Sequence, residues 1–314
     1  MSKPWIFISP ASRGIGQALT RHLLRTTRLP ILATARSADT GAVKASILSG
    51  VSPSPTSPPP EATKKDATED MASRLHVVQL DVTDEPTMAA AAERAAALFP
   101  REAHHLHLGF ALPGVLHPER SPAQVRYRDA LATLQVNVLG PLMLMKHFGG
   151  FLPRKNTDVG FDGGDGADYR YYHNDDGGTG GKSEPLFFPQ HATFLTASAR
   201  VGSVSDNSLG GWYSYRASKA GVNSLAKTFN LHLQAQAKQS GRSSTSSGAT
   251  PAIAMAYHPG TVKTGLSREF WGGVAPEKLF TAEYAVERMV DVVRTRTPEQ
   301  GGRCWDWRGE EILP

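Results

Sequence analysis

A tyrosine and a lysine lie four residues apart in segment 212–219, which reads WYSYRASK. If this segment opens a helix, the side chains of Tyr215 and Lys219 lie on one face, one turn apart. An ammonium beside a phenol favours the phenolate, which would lower the tyrosine pKa from its usual value of about 10. Such a tyrosine can donate a proton to a carbonyl oxygen or take one from an alcohol. The pair therefore predicts acid–base chemistry on a carbonyl or an alcohol.

The residues that follow predict the helix that carries this pair. One helical stripe, with spacings of four and three, contains Tyr215, Lys219, Val222, Ala226, Phe229 and Leu233. Lys219 would then share a face with apolar residues, and a lysine on a buried stripe is unusual unless it has a function. A lysine that extends its ammonium to the surface along this face is the alternative interpretation.

A strand, a glycine-containing turn and a helix are predicted near residue 10. Residues 5–9 form a short apolar run, and Ile15, Leu19 and Leu23 have helical spacing. The turn between them includes Ser9, Arg13, Gly14, Ile15 and Gly16. In this context, backbone N–H groups and the helix N-terminus bind the pyrophosphate of a dinucleotide. A plain strand-to-helix turn is the alternative.

Arg36 follows the second predicted strand, residues 30–35, and lies 20 positions after Gly16. In a dinucleotide-binding fold, an acid near this position binds the ribose 2′-hydroxyl of NAD, whereas an arginine accommodates the 2′-phosphate of NADP. No acid occurs at positions 34–36, and Arg13 lies in the phosphate-binding turn. Two arginines near one phosphate favour NADP(H) as the cofactor, and ordinary surface arginines are the alternative.

Alternating strands and helices continue along the chain. Further strands are predicted at 75–80, 106–112, 191–197, 252–257 and 303–307. Further helices are predicted at 86–99, 121–151 and 282–294, besides the helix that carries Tyr215. Six or seven strands alternating with helices predict an α/β fold, a doubly wound parallel sheet of the Rossmann type in one domain over 1–314. Polar low-complexity stretches predict disordered surface insertions at about 49–70, 154–185 and 239–250.

Candidate ligand-binding residues follow the carboxyl ends of the predicted strands, where parallel sheets bind their ligands. Besides the glycine turn, this edge gathers Arg36, Asp81, Val82, Gly114, Ser198 and the sequence HPG at 258–260. Asp81 can accept a hydrogen bond from an adenine amine, although Asp84 can equally cap the next helix.

Asn137 adjoins a helical stripe that includes Leu131, Leu134, Val138, Leu142 and Met145. A near-core amide needs hydrogen-bond partners, and a structural role and a catalytic role are both open for it.

Composition limits the classes of partner. The chain has 314 residues and a net charge of +5 without any basic run, so we expect no nucleic-acid partner and no membrane partner. Cys304 is the only cysteine, which predicts no internal disulfide and a reducing, cytoplasmic location. No apolar run is long enough to span a membrane, and no signal-peptide core precedes the first glycine. We also expect no metal site.

Together these motifs resemble the short-chain dehydrogenase/reductase family over nearly the whole chain apart from the insertions. Residues 197–221, ASARVGSVSDNSLGGWYSYRASKAG, are most similar to the subgroup of small carbonyl reductases and C-factor-like proteins. The resemblance implies that Tyr215 transfers the proton and that Lys219 lowers its pKa and binds the nicotinamide ribose. Asn137 would organise a proton-relay water. The implied cofactor contacts are Ser9, Arg13, Gly14, Ile15, Gly16, Arg36, Asp81, Val82, Gly114, Tyr215, Lys219, Pro259, Gly260, Val262 and Thr264.

Two turns depart from the motifs of this family. Pro10 stands where the glycine turn normally begins, which removes one N–H and restricts the backbone. Residues 111–114 read ALPG in place of Asn-Asn-Ala-Gly, so only the glycine remains. We expect the pyrophosphate cradle to be partly rebuilt and the second turn to lack its asparagine hydrogen bonds.

The catalytic serine of the family falls on Ala199 when the motif is aligned on Gly202. Ser198 is the preferred substitute, but neighbouring strand residues point to opposite faces, so the strand end must twist or bulge. Ser203 and a site without a serine contribution are the alternatives.

The predicted function is an NADPH-dependent oxidoreductase that reduces a small ketone or aldehyde to an alcohol, reversibly. Tyr215 would act as general acid or base with help from Lys219 and Asn137. An NAD(P)-binding regulatory or signalling protein with weak or lost catalysis is the alternative, favoured by the altered serine, glycine and asparagine positions. The aromatic segment 265–280 predicts a mobile lid, and the family resemblance leaves a homo-oligomer open.

Overall fold

The computed structural model of the chain describes residues 1–51, 64–159, 170–171, 186–239 and 251–314. Its strands are β1 (Lys3–Ser9), β2 (Ile31–Ala35), β3 (Leu75–Gln79), β4 (His104–Ala111), β5 (Arg170–Tyr171), β6 (Leu186–Phe187), β7 (Ala192–Ala197), β8 (Ala252–His258), β9 (Thr261–Val262), β10 (Leu279–Phe280), β11 (Cys304–Asp306) and β12 (Glu311–Ile312). Its α-helices are α1 (Gly14–Thr26), α2 (Thr40–Ser49), α3 (Lys64–Arg74), α4 (Glu85–Leu98), α5 (Tyr127–Leu134), α6 (Gly140–Phe148), α7 (Tyr213–Gln239) and α8 (Ala282–Arg294).

The central sheet has eight strands in the order β12-β11-β8-β7-β4-β1-β2-β3. All neighbours pair in parallel except β12, which is antiparallel to β11. The predicted doubly wound parallel sheet is confirmed, and the antiparallel edge strand β12 is an addition to it. The chain moves outward in one direction from β1 and in the other from β4. The order of strands therefore reverses between β1 and β4, where open α/β sheets bind ligands.

Side chains of β1 alternate between the two faces of this sheet. Ile6 and Ile8 pack with residues of α1 and α8, whereas Trp5 and Phe7 pack with residues of α4 and α6 on the other face. The Phe7 and Phe148 rings stack with centroids 3.9 Å apart. Because helices cover both faces, the strand reads as a continuous apolar run, as a buried parallel strand should.

The segment 121–151, predicted to be helical, is helical over most of its length but is not one regular α-helix. A π-helical turn, Gln135–Leu139, separates α5 from α6. The wider turn changes which residues face the protein interior. As a result Leu131 is 51% exposed and Leu134 and Leu142 are also exposed, while Asn137 is completely buried. The leucines of the expected stripe therefore face solvent, whereas Met145 of the same stripe is buried.

Helix α2 was not predicted, and α3 begins at Lys64 inside the first expected insertion, so residues 64–70 are helical. The remainder of the three expected insertions lies largely outside the described residues, at 52–63, 160–169, 172–185 and 240–250. Segment 265–280, expected to form a lid, contains two short 3₁₀ turns and strand β10. Within the described ranges, no helix combines the length and apolarity that crossing a membrane requires.

Candidate active site

A cavity of about 500 Å³ opens where β4, β7 and β8 end. Tyr215 and Lys219, from the first turns of α7, contribute to its wall together with Ser198 and His258. The rest of the wall is largely apolar and includes Leu112, Leu116, Val201, Leu209, Trp212, Leu266, Phe270 and Val274. The predicted contacts Ile15, Pro259, Gly260, Val262 and Thr264 line this same cavity.

A second cavity of about 280 Å³ lies beside the first. Both cavities include Pro113 and Gly114 in their walls, so they adjoin at this turn. The second cavity also contains the predicted contacts Ser9, Arg13, Arg36, Asp81 and Val82. Thus the structure brings the two arginines and the acid together in one place, as the strand-end argument predicts.

The glycine turn requires its glycines for steric reasons. Gly14 has a left-handed backbone with φ of +57°, which side chains disfavour. A Cβ on Gly16 would lie 1.9 Å from the carbonyl oxygen of Pro10, so only glycine fits there. Helix α1 starts at Gly14, and the first N–H groups of a helix lack intrahelical acceptors. Despite Pro10, the turn therefore leads into a helix N-terminus, and its N-cap residue Arg13 lines the second cavity.

Tyr215 and Lys219 are both buried, at 7% and 3% exposure. The Lys219 Nζ lies 5.5 Å from the centroid of the Tyr215 ring and donates a hydrogen bond to the carbonyl oxygen of Ala197 at 2.7 Å. Burial raises the pKa of Tyr215 to about 12 and lowers the pKa of Lys219 to about 8. The expected lowering of the tyrosine pKa is not seen, because desolvation disfavours both charged forms.

Asn137 connects the loop after β4 to the first turns of α7. Its Oδ1 accepts from the N–H of Val115 at 2.8 Å, and its Nδ2 donates to the Val115 carbonyl at 2.9 Å and to Ser218 Oγ at 3.0 Å. Ser218 Oγ in turn donates to the carbonyl oxygen of Tyr215 at 2.7 Å. Asn137 therefore lies at the site, and its catalytic part stays a prediction.

The three candidate positions for the serine differ in their surroundings. Ser198 lines the large cavity, but its hydroxyl donates to Asn223 Oδ1 at 2.6 Å. Ala199 also lines the cavity. Ser203 is buried, and its hydroxyl accepts from the N–H of Asp206 at 3.0 Å. Of the two serines, only Ser198 lies at the cavity, and its hydrogen is already donated.

Sequence reasoning missed Glu119, a buried carboxylate that binds both the N–H and the hydroxyl of Ser214. The two residues are 95 positions apart, so no local pattern connects them. In the described part of the chain, no group of three or more His, Cys, Asp or Glu side chains is arranged to hold a metal ion.

Comparisons with known sequences give partial matches. No protein-family model matches the chain. It is 33% identical over 105 residues to 1-hydroxy-2-glutathionyl-2-methyl-3-butene dehydrogenase of Rhodococcus sp. (strain AD45), which covers 33% of this chain and 39% of that protein. It is 29% identical over 114 residues to C-signal of Myxococcus xanthus, which covers 36% of this chain and 56% of that protein. The chain thus spans less than two thirds of the length of either relative.

Solved structures match over the full length. The carbonyl reductase Sniffer of D. melanogaster has a TM-score of 0.69 at 18% identity, with 100% of both chains covered. The NADPH-bound carbonyl reductase from chicken fatty liver has a TM-score of 0.68 at 20% identity, also with 100% of both chains covered. A short-chain dehydrogenase/reductase from Burkholderia multivorans with bound NADP has a TM-score of 0.63 at 21% identity, covering 99% of this chain and 100% of that one.

The chain therefore has the fold of these carbonyl reductases and short-chain dehydrogenases/reductases. The solved structures show the fold, and the sequence matches and the order of motifs agree with it. Relative to the motifs of the short-chain dehydrogenase/reductase family that the sequence resembles, the chain differs at Pro10, at residues 111–114 and at Ala199. The first two differences adjoin the cavities, and the third lies in the wall of the large one.

Proposed function

We propose that this protein is an NADPH-dependent oxidoreductase that reduces a small ketone or aldehyde to an alcohol, reversibly. One observation carries the proposal: a buried tyrosine and a buried lysine lie at a cavity that adjoins a second cavity holding two arginines. The first pair suits proton transfer to a carbonyl oxygen, and the arginines suit a phosphorylated dinucleotide.

The residues around the second cavity fit NADP(H). Arg13 and Arg36, with Ser12 and Ser37 beside them, would hold the 2′-phosphate, and Asp81 would hold the adenine amine. The first turn of α1 would hold the pyrophosphate. Two structures of the same fold are described as NADPH-bound or NADP-bound, which supports this choice.

Gly114 leaves room where the two cavities adjoin. A Cβ at Gly114 would lie 3.9 Å from Lys219 Nζ and 4.0 Å from Asn137 Oδ1. A larger side chain would enter the space that a nicotinamide ribose needs to reach Lys219. When bound, the nicotinamide would supply the hydride for the carbonyl carbon. The remaining proposed contacts, from Ile15 and from residues 259–264, line the large cavity.

Tyr215 would donate the proton that the carbonyl oxygen takes up. Its pKa of about 12 keeps the phenol protonated at neutral pH, which is the form that a proton donor requires. The Lys219 ammonium, bound to the Ala197 carbonyl, would stabilise the negative charge that develops on the phenol oxygen. Asn137 would fix the loop after β4 against the first turns of α7.

The wall of the large cavity favours a carbonyl compound with an apolar substituent. Trp212 and Phe270 lie with ring centroids 4.9 Å apart, and Trp212 also meets Tyr215 edge-on at 6.1 Å. An aromatic or aliphatic group placed against these rings would bring its carbonyl towards the phenol. A cytoplasmic location and a homo-oligomer remain predictions from the sequence.

The test is consumption of NADPH against a panel of ketones and aldehydes, with wild type and Tyr215→Phe. We expect wild-type turnover and a loss of about 10²–10⁴ in the variant, the usual worth of a positioned acid–base group, with NADPH affinity kept. The second candidate, an NAD(P)-binding regulatory protein, is favoured by Ala199 and by the engaged Ser198 hydroxyl. Tight NADPH binding without turnover on any compound would support it instead.

A further inference from the structure

Glu119 lies in the loop between β4 and α5, residues 112–126, and is 3% exposed. Its Oε1 accepts a hydrogen bond from Ser214 Oγ at 2.5 Å, and its Oε2 accepts one from the N–H of Ser214 at 3.2 Å. Its backbone carbonyl accepts from the N–H of Trp212 at 2.6 Å. One residue thus forms three hydrogen bonds to the start of α7, immediately before Tyr215.

Helix α7 needs an acceptor at this end. It begins at Tyr213, and the N–H groups of its first turn have no acceptor within the helix. The preceding residue, Trp212, cannot supply one, because its indole side chain only donates. Glu119 supplies this acceptor from a different part of the chain. Its carboxylate also lies at the positive end of the helix dipole, where negative charge is stabilising.

The backbone leading into α7 is unusual and depends on the same residue. Gly210, Gly211 and Trp212 have successive left-handed φ angles of 64°, 68° and 52°. The left-handed region is unfavourable for a residue with a side chain, because its Cβ comes too close to the following carbonyl oxygen. The hydrogen bond from Trp212 to the Glu119 carbonyl and the contact of the Trp212 ring with Phe270 offset that cost. Trp212 is thereby held in the wall of the cavity beside Tyr215.

Tyr215 lies between two such connections. Before it, Glu119 binds Ser214, and after it, Asn137 binds Ser218, whose hydroxyl donates to the Tyr215 carbonyl. Asn137 also binds the backbone of the same loop upstream of Glu119. Hydrogen bonds therefore connect the loop to the first turns of α7 on both sides of Tyr215.

We infer that Glu119 is a positioning residue for Tyr215, which it holds against the cavity by fixing Ser214 and Trp212. The inference rests on the proposed carbonyl reduction, because its effect is read through the proton transfer at Tyr215. A displacement of about 1 Å at a reacting group can cost about 10²-fold in rate. Loss of the connection should therefore lower kcat more than it weakens the binding of NADPH, whose phosphate contacts lie in the other cavity.

The test compares Glu119→Gln, which keeps the size of the side chain, with Ser214→Ala and with the double variant. We expect Glu119→Gln to lower kcat by about 10- to 100-fold, with KM and the NADPH dissociation constant changed less than about threefold. The double variant should lose little more than Glu119→Gln alone, because the two residues act through one connection.

Thr281→Ala is the matched control, since Thr281 caps α8 through the N–H of Tyr284 and does not line either cavity. It should lower the melting temperature without lowering kcat. If Glu119→Gln lowers only the melting temperature, as this control does, the positioning role is wrong. It is also wrong if the losses of kcat in Glu119→Gln and Ser214→Ala multiply in the double variant.

Amide exchange gives a reading that does not depend on turnover. In Glu119→Gln, residues 212–219 should exchange faster, while the strands of the central sheet remain protected. If wild type shows no turnover on any carbonyl compound, the proposed function fails. If amide exchange at 212–219 is unchanged in Glu119→Gln, the role of Glu119 in holding this segment is wrong, whether or not wild type turns over.

Discussion

Ser198 donates its hydroxyl hydrogen to Asn223 at 2.6 Å, so this cavity-lining serine is already engaged with α7. The neighbouring Ala199, which occupies the family's serine position, presents only a methyl group to the cavity. A hydroxyl has one hydrogen to donate, and Ser198 must release Asn223 before it can polarise a carbonyl. The oxygen of a bound carbonyl therefore depends mainly on Tyr215.

We predict that Ser198→Ala lowers the reduction rate by less than about tenfold and Ser203→Ala by less still, since Ser198 lines the cavity and Ser203 does not. Ala199→Ser should raise the rate by about 3- to 30-fold, because a new donor would face the carbonyl oxygen at a position free of competing bonds. The measurement is kcat for one carbonyl substrate in the three variants. A loss of 10²-fold or more at Ser198 would mean that this hydroxyl turns into the cavity during the reaction.

Lys219 should make kcat/KM for the reduction fall at alkaline pH. Burial lowers the pKa of Lys219 to about 8, so its positive charge is present below this pH and is lost above it. We predict that kcat/KM for reduction is level below about pH 8 and declines as the pH rises further. The measurement is a profile of kcat/KM in buffers of constant ionic strength, with NADPH affinity followed in parallel. A profile that stays level to pH 10 would show that the charge on Lys219 is not required.

Much of the fold and part of the site could be predicted from the sequence, because their signals are local. Apolar runs that end in glycine, proline or polar residues marked the strands, and the carboxyl ends of parallel strands must meet at one edge. Arg13, Arg36 and Asp81 therefore converge in one cavity. Gly202 was useful as an anchor because a Cβ there would lie 2.7 Å from the carbonyl carbon of Lys219, so the motif needs glycine.

Other features depend on contacts that no local pattern records. The π-helical turn at Gln135–Leu139 rotated Asn137 inward and the flanking leucines outward, which a regular helical period cannot anticipate. Glu119 meets Ser214 across 95 positions. The tyrosine pKa was expected to fall because of Lys219, but burial of the phenol raises it. Spacing shows that two groups are near, whereas desolvation depends on everything packed around them.

Buried histidines predict a loss of stability in mild acid. Burial lowers the pKa values of His105 and His191 to about 4, and that of His107 also lies well below its ordinary value. Between about pH 6.5 and pH 4 the unfolded chain binds protons that the folded chain does not, so the free energy of unfolding falls as the pH falls. From pH 7 to pH 5 we expect a loss of about 2 kcal/mol in the free energy of unfolding for each of His105 and His191.

The measurement is urea unfolding at both pH values in wild type, His191→Gln and the control His232→Gln, which alters an exposed residue of α7. The loss of unfolding free energy from pH 7 to pH 5 should be about 2 kcal/mol smaller in His191→Gln than in wild type, and the control should match wild type. Equal pH dependence in all three proteins would contradict a neutral, buried His191.

Arg36 should decide the choice of cofactor. It lines the same cavity as Arg13, where the 2′-phosphate of NADPH is proposed to lie. A charge-assisted hydrogen bond contributes about 1.5–3 kcal/mol, so losing one should weaken NADPH binding by about 10- to 150-fold. NADH has no phosphate here and should bind almost unchanged. Arg36→Asp should do more than remove a contact, because a carboxylate repels the phosphate and can accept from the free ribose hydroxyls.

We therefore expect wild type to prefer NADPH and Arg36→Asp to narrow or reverse this preference. The measurement is the dissociation constant of each cofactor for both proteins at one fixed salt concentration, because charge contacts weaken with ionic strength. Arg126→Asp is the matched control, since Arg126 is an exposed arginine that lines neither cavity. It carries the same change of charge and should leave the ratio of the two constants unaltered. Equal wild-type affinities, or the same loss for both cofactors in Arg36→Asp, would show that Arg36 is an ordinary surface arginine.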